Sequence, residues 1–420
     1  MASLRKRGCL CGLLRASLGH RRGHPAGHRR RFCPPCGVYF QPGQSTGRLH
    51  RTDAGSVANF VHSAARRMGL PRERIRLGGD HLGPFPWRTA ASNSALRKAC
   101  KLVRACVLAG YRKIHLDASI ACTDDAKVLP EHIVARRAAV LCEAAEEVLK
   151  DLPPGADLPL YVIGTEVPTP GGGSALGAPP AVTTVESLHQ TLQVFQAAFA
   201  ERGLSAAWDR VIAVVAQPGV EFGDNVVFEY DCSKARSLSA GLPKSPSVVY
   251  EAHSTDYQPP SALAQMVEDH FAILKVGPWL TFAFREAVFS LSAIERDLLG
   301  GGKGPRLSQV PEVLDQAMLK NPLHWRSYYH GDENQLRFSR AYSYSDRCRY
   351  YWHEPAVQAE IERLIENLMA HSVPLTLISQ YLPLEYAAIR AEEIKNQPGA
   401  IIRYHIQSVL RSYAAACGMG

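Results

Sequence analysis

Arg74-Ile75-Arg76-Leu77-Gly78-Gly79-Asp80-His81-Leu82-Gly83-Pro84 reads as a short strand, ended by two glycines and followed at once by an acid and an imidazole. Gly83-Pro84 then turns the chain away. In parallel α/β folds chemistry gathers at the C-terminal ends of strands, where loops vary while the strands hold them rigid. Asp80 suits a base or proton shuttle, and His81 suits a divalent metal or the polarisation of a carbonyl. The structural alternative is that His81 caps a backbone group while Asp80 pairs with an arginine.

The same grammar recurs down the chain. Lys113-Ile114-His115-Leu116-Asp117, Leu160–Glu166, Arg210–Gln217, Ser247–His253 and Phe271–Gly277 are apolar runs that end in Asp, Glu, His, Gln or Lys. Runs without strict alternation suit strands covered on both faces. Helical patterns precede or follow them at about 57–69, 92–110, 131–150, 183–203, 260–270 and 282–298. Strand then helix, repeated with short links, predicts parallel strands with right-handed crossovers. Six such units fall short of the eight that close a barrel. An open doubly wound sheet is the alternative, but polar groups at every strand end favour a barrel rim over a single switch point.

Beyond Leu299 a glycine-rich break, Gly300–Pro305, leads into helical patterns at 308–320, 354–370, 384–395 and 399–415, dense in aromatics. Pro374–Gln380 reads as an extended apolar piece between two of them. The expected organisation is an irregular basic segment over 1–56, a barrel body over 57–300 and a helical extension over 301–420.

Composition narrows the function. A 46% hydrophobic and 21% charged chain is ordinary for a globular protein, and no apolar run is long enough to cross a bilayer. The net charge of +9 misleads: residues 1–55 hold eleven Lys or Arg against Asp53 alone, a local +10 that leaves the remainder near −1. The expected partners therefore include neither nucleic acid nor membrane, and the expected compartment is the cytoplasm. Eleven cysteines in so long a chain do not make a disulfide framework. Cys9, Cys11, Cys33 and Cys36 carry a weak zinc-site signal. The arginine-rich opening reads as a transit peptide, a basic tail, or sequence that is not natural coding.

Further candidates follow from spacing. His115 and Asp117 share one strand face, as do Glu251 and His253, and two such side chains form half of a divalent site. Buried pairing is the alternative for each. Glu166 is placed to complete such a site. Gln217, Glu221 and Asp256 are candidate contacts for sugar hydroxyls, or structural hydrogen bonds. Lys275 offers a Schiff base, an anion contact or a lysine–glutamate pair. The Gly277-Pro278 loop offers backbone N–H groups to a phosphate. Arg347 reaches a phosphate or braces the helical extension. No phosphate-cradling P-loop is present.

These residues and motifs resemble the GatZ/KbaZ family, named after a subunit of bacterial tagatose-1,6-bisphosphate aldolase. The resemblance rests on Gly78–Pro84, Lys113–Asp117, Tyr161–Pro168, Gln217–Phe222, Glu251–Gln258, Ala272–Pro278, Tyr342–Arg347 and Ser379–Pro383, and spans about 57–417. Phe85 and Trp279 are bulkier than the family's usual residues there. The resemblance implies a (β/α)8 barrel related to class II aldolases. It also implies a non-catalytic role supporting a separate zinc-dependent aldolase subunit, with a sugar phosphate as the pathway's substrate. Some relatives are instead D-tagatose 6-phosphate 4-epimerases, which here would use one divalent metal, Zn or Mn, on His81, Glu251 and His253. Asp80, Asp117, Glu166 and Lys275 would be the catalytic groups. His115, Gln217, Glu221, Asp256, Gly277 and Arg347 would contact substrate. Asp80-His81 is similar to the base-and-ligand pair of class II aldolases, by fold analogy alone.

The family's first two strands end in motifs like V-C-S-A-H-P and S-N-Q-V-N-Q, and residues 1–56 contain neither. Codons chosen for Cys9–Leu18 and read from their second bases give A-C-A-V-C-S-A-H-P-W. The same offset over Phe40–Ser45 gives S-N-Q-V-N-Q. The expectation is therefore an out-of-frame opening and a barrel without its own first two strands.

Overall fold

The structure is a computed structural model that describes residues 15–19, 36–40, 54–164, 179–242, 248–301 and 304–418. The six expected strands are all present: β3 (Ile75–Leu82), β4 (Lys113–Leu116), β5 (Leu160–Ile163), β6 (Val211–Val215), β9 (Val249–Ala252) and β10 (Ile273–Val276). They pair in parallel as a curled sheet, in the order β3-β4-β5-β6-β9-β10. A small antiparallel hairpin, β7 (Glu221–Phe222) with β8 (Val227–Phe228), grows from the loop after β6.

The gap between β10 and β3 is filled by β1 (Arg15–Gly19) and β2 (Cys36–Phe40), which close the ring. β2 runs parallel to β3, whereas β1 is antiparallel to both β2 and β10. The two places left open by the motif pattern are thus taken by backbone from the basic segment, one strand reversed against the direction that a (β/α)8 ring requires.

Helices α1 (Ala54–Arg67), α2 (Ser92–Leu108), α3 (Glu131–Glu146), α4 (Val185–Ala200), α5 (Ser205–Trp208), α6 (Cys232–Ala240), α7 (Pro260–Glu268) and α8 (Pro278–Leu299) cover the sheet. Their apolar faces and the outward strand residues form one core, in which Tyr111, Ile114, Tyr161, Phe199 and Tyr250 are fully buried. At about 25 cal/mol per Å² of apolar surface removed from water, this burial is the main stabilising term.

Six further helices make the C-terminal part: α9 (Val310–Lys320), α10 (Glu333–Tyr342), α11 (Pro355–Ala370), α12 (Leu375–Tyr381), α13 (Pro383–Arg390) and α14 (Pro398–Ala416). They build a second core around Trp325, Tyr329, Trp352 and Leu364. α8 supplies residues to both cores, and Val409 and Tyr413 of α14 return to the barrel core. The piece at 374–380, expected to be extended, is α12. Leu377, Ile378 and Tyr381 face the second core at i, i+1 and i+4, a helical stripe that a short apolar run disguises. The seven cysteines whose side chains are described are free thiols.

His405 of α14 ties this part together. Its Nδ1 lies 2.8 Å from Glu385 Oε1 and its Nε2 lies 3.3 Å from Glu286 Oε2. Burial opposes the imidazolium, but the hydrogen bonds to Glu286 and Glu385 prevail and raise its pKa to about 9. A folded-state pKa above the unfolded value gives stability that is complete below about 6.5 and lost as pH rises through about 9. His405→Gln should cost about 1–2 kcal/mol at pH 6 and flatten the decline between pH 6.5 and 9.5 in melting experiments. Parallel pH profiles for the variant and the parent would refute this.

Candidate functional site

The stretch that opens the sequence reading forms a single strand through its glycines. A Cβ on Gly79 would fall 2.4 Å from the Leu82 side chain, which would have to shift to make room. Pairing of β3 with β4 slips between Gly79 and Leu82, and His81 takes a left-handed φ of 49°. Such a bulge re-aims side chains. Here it turns Asp80 and His81 together into the barrel interior.

β4 contributes Lys113 and His115 from the same face, with Asp117 just beyond its end. β9 contributes Glu251, with His253 two residues on, and β10 contributes Lys275. All eight meet. The Lys275 amine pairs with Asp80 Oδ1, lies 2.7 Å from Glu251 Oε1 and 2.5 Å from His253 Nε2. An ammonium has three N–H groups, and here each has an acceptor. Lys113 pairs with the other Glu251 oxygen. His81 Nδ1 donates to Asp117 Oδ2 at 2.8 Å, and Ser119 fixes Asp117 through its backbone N (3.1 Å) and hydroxyl (2.7 Å). His115 lies with Nδ1 3.3 Å from Asp80 Oδ1 and Nε2 3.3 Å from the Gly164 carbonyl.

Burial sets the electrostatics. Asp80 and Glu251 are fully buried, which alone would raise their pKa values. Lys275 next to Asp80, and Lys113 and Lys275 next to Glu251, outweigh burial and hold both carboxyls well below the usual range. His253 is pushed well below its ordinary value by burial and then by Lys275, so it is a neutral acceptor for the ammonium. Burial likewise lowers His81, against the opposing pull of Asp80. Asp117 is half-buried, and its hydrogen bond with His81 holds its carboxyl below the usual range against that burial.

Asp80, His81, His115 and His253 each offer one donor atom, and these atoms lie within 4.8 Å of one another. One carboxylate and three imidazoles suit Zn or Mn in donor type. The residue types therefore fit a divalent ion, with Lys275 as a built-in competitor that already engages Asp80 and His253. Glu251, expected as a ligand, is not in this group: two lysines claim both of its oxygens, while Asp80 and His115 take the ligand positions.

Other expected contacts have structural duties. Gln217 Oε1 accepts from Gly219 N (2.8 Å) and Val220 N (3.1 Å), bracing its own loop. Glu221 accepts from Phe222 N (2.9 Å) and Ser254 Oγ (3.2 Å). Asp256 Oδ1 accepts from Gly277 N (2.9 Å) and Trp279 N (2.8 Å), so the amides expected to cradle a phosphate are taken by the chain's own carboxylate. Arg347 stacks on Tyr328 and donates to the His324 carbonyl at 3.0 Å, within the C-terminal part. Of its two predicted roles, the brace is the one its contacts describe. Glu166 lies outside the described residues. Lys113 was missed, although its place two residues before His115 on one strand face was a legible signal.

Fold and site together define a TIM-barrel-like α/β protein whose strand ends converge on a buried Asp/His3 group threaded by lysine. The chain belongs to the GatZ/KbaZ-like family: the profile described as D-tagatose-1,6-bisphosphate aldolase subunit GatZ/KbaZ-like matches residues 45–418. A crystal structure of a Sinorhizobium meliloti 1021 protein described as a probable tagatose 6 phosphate kinase is 40% identical. It covers 91% of this chain and 94% of its own, with a TM-score of 0.82. A Campylobacter jejuni fructose-bisphosphate aldolase aligns over 81% of this chain and 84% of its own at 13% identity, but its TM-score of 0.37 is too low to bear on the site. Family membership supports a role related to tagatose-bisphosphate aldolase in carbohydrate metabolism. Among the described residues no helix is long and apolar enough to cross a membrane.

Proposed function

We propose that this chain is a non-catalytic subunit of a class II D-tagatose-1,6-bisphosphate aldolase in cytoplasmic tagatose or galactitol catabolism. It supports the stability and activity of a separate catalytic partner that handles the sugar phosphate. The observation behind this reading is the place of Lys275. Its ammonium engages Asp80, Glu251 and His253, so the acids and the imidazole are committed to an internal cation. A centre neutralised in this way serves as a polar keystone of the barrel.

A second reading, a metal-dependent D-tagatose 6-phosphate 4-epimerase, is favoured by the convergence of Asp80, His81, His115 and His253. A divalent ion held there would supply Lewis-acid polarisation of a substrate carbonyl. Asp117 would fix the His81 tautomer, as its 2.8 Å contact already does. The purified chain, assayed alone on D-tagatose 6-phosphate with and without EDTA, separates the two. The subunit reading expects no turnover in either condition and a rise in aldolase activity on mixing with a class II catalytic subunit. Turnover abolished by EDTA overturns it. ATP in the same assay tests phosphoryl transfer, for which the sequence has no cradling glycine loop.

We also infer that residues 1–56 are an out-of-frame translation of the family's opening. The nucleotide sequence of codons 9–56 tests this: a single-base shift near codon 56 that restores both missing motifs sustains it, and an intact frame overturns it.

A further inference from the structure

A cavity of about 410 Å³ opens on the barrel rim, lined by Tyr257, Trp279, Phe282 and Tyr344 with Asn225, Glu229 and Glu286. None of these belongs to the lysine-threaded centre. Three parts of the chain build it: the hairpin of β7 and β8, the strand-end loop after β9 with the start of α8, and Tyr344 of the C-terminal part. We propose that this cavity is a binding site for a neutral polyhydroxylated ligand, a free sugar or sugar alcohol.

The wall is aromatic and continuous. Tyr257 lies at its middle, with ring centroids 4.6 Å from Tyr344, 5.6 Å from Trp279 and 5.3 Å from Phe282. Such a wall takes the C–H face of a polyol, while two carboxylates and an amide accept from and donate to its hydroxyls. The volume falls within the range of small-molecule sites, about 300–1,000 Å³.

The charges select against the alternatives. Among the described residues no lysine or arginine lines the cavity, and the exposed Glu229 carboxylate repels a phosphate or any other anion. An organic cation is also disfavoured. The Arg285 guanidinium already lies 4.1 Å from the Phe282 ring centroid and so occupies that ring's cation-binding face. His405 lies 3.3 Å from Glu286 and compensates its charge. A neutral ligand is what remains.

The wall is also held in place at a conformational cost. Tyr257 sits at φ 63°, uncommon for a bulky residue, and its hydroxyl donates to the Tyr344 carbonyl at 2.6 Å. Tyr344 N in turn donates to Asp224 O at 2.9 Å, and the Ser343 hydroxyl to Asp224 Oδ1 at 3.1 Å, which clips the C-terminal part to the hairpin. Cavity and centre are close along the chain: His253 and Tyr257 lie on the segment after β9, Lys275 lies in β10 and Trp279 in the first turn of α8, and Asp256 joins the two through the Gly277 and Trp279 amides. The inference does not depend on whether the centre is catalytic.

The test is calorimetric titration of the full chain with D-sorbitol and D-fructose, alongside tryptophan fluorescence. Saturable binding in the millimolar range is expected, weakened about tenfold by Glu229→Ala and by Trp279→Leu. Fructose 6-phosphate and tetramethylammonium should bind more weakly than the neutral probes. Glu229 is exposed, so its variant carries the test if Trp279→Leu fails to melt cooperatively. Absence of saturation, equal affinity in Glu229→Ala, or preference for the charged probes overturns the proposal. Because the readout is binding without turnover or partner, its failure is separate from failure of the subunit reading.

Discussion

Lys275→Met is expected to lower stability by about 3–5 kcal/mol, because it leaves buried carboxylates without their cation. At about 1–1.5 °C per kcal/mol for a chain of this size, the melting temperature should fall by roughly 5 °C. The two side chains have similar length, so little of the loss is packing. Asp80 and Glu251 are both fully buried; Lys275 pairs with both, and Lys113 pairs with Glu251. Asp80 would then keep its histidine contacts without the lysine's charge, and either it takes a proton or the ring opens locally. The variant has a second use. With the ammonium gone, Asp80, His81, His115 and His253 are released to a divalent ion, and binding to the folded state stabilises by mass action. Zinc or manganese should therefore raise the melting temperature of Lys275→Met more than that of the parent, and Asp80→Asn added to it should abolish the gain. A variant that melts with the parent would show that Lys275 does not neutralise the centre. Equal responses of variant and parent to metal would remove its role as competitor.

That competition shows where the sequence was readable. Asp80 and His81 stand out because an acid and an imidazole follow Gly-Gly side by side, although the strand itself runs on through both to Leu82. His115 and Asp117, like Glu251 and His253, follow from the two-residue period of a strand. All six do meet in the barrel. What spacing could not supply is who pairs with whom. Lys275 reaches Asp80 across 195 positions of sequence, a contact made by closure of the ring alone. Hence Glu251 looked like a metal ligand when it is the partner of two lysines. The Gly277-Pro278 loop misled for a similar reason. A glycine before a helix start offers free amides, and nothing local reveals that Asp256, 21 residues earlier, fills them. Pro374–Gln380 failed differently: seven residues are too few to separate a helical stripe from an extended run. The first 56 residues had no period to read, and the backbone strands found there are not announced by any alternation.

Gly83→Ala is the second large effect, and it probes the hinge between the opening stretch and the centre. A Cβ on Gly83 would fall 1.6 Å from the Asp117 carbonyl oxygen and 2.7 Å from its carbon. Both are backbone atoms just past the end of β4, so no rotamer relieves the clash. The β3 exit and the β4 exit must separate by more than an ångström. That separation strains the Asp117 N–H bond to the Leu82 carbonyl, 3.2 Å, and the 2.8 Å contact between His81 and Asp117. Overpacking usually costs about 1–3 kcal/mol, and a backbone clash beside a buried ionic centre belongs at or above the top of that range. Gly301→Ala is the control, since its Cβ would meet nothing within 4 Å. Chemical denaturation of both should give a midpoint for Gly301→Ala near the parent and a sharply reduced one for Gly83→Ala. If both sit together, the two strand ends are not held as tightly as drawn here, and Asp117 cannot be what orients His81. If only Gly83→Ala falls, the glycine is required by contact with Asp117 rather than by turn geometry, and the Gly-Gly-Asp-His-Leu-Gly stretch acts as one unit in presenting its acid and its imidazole.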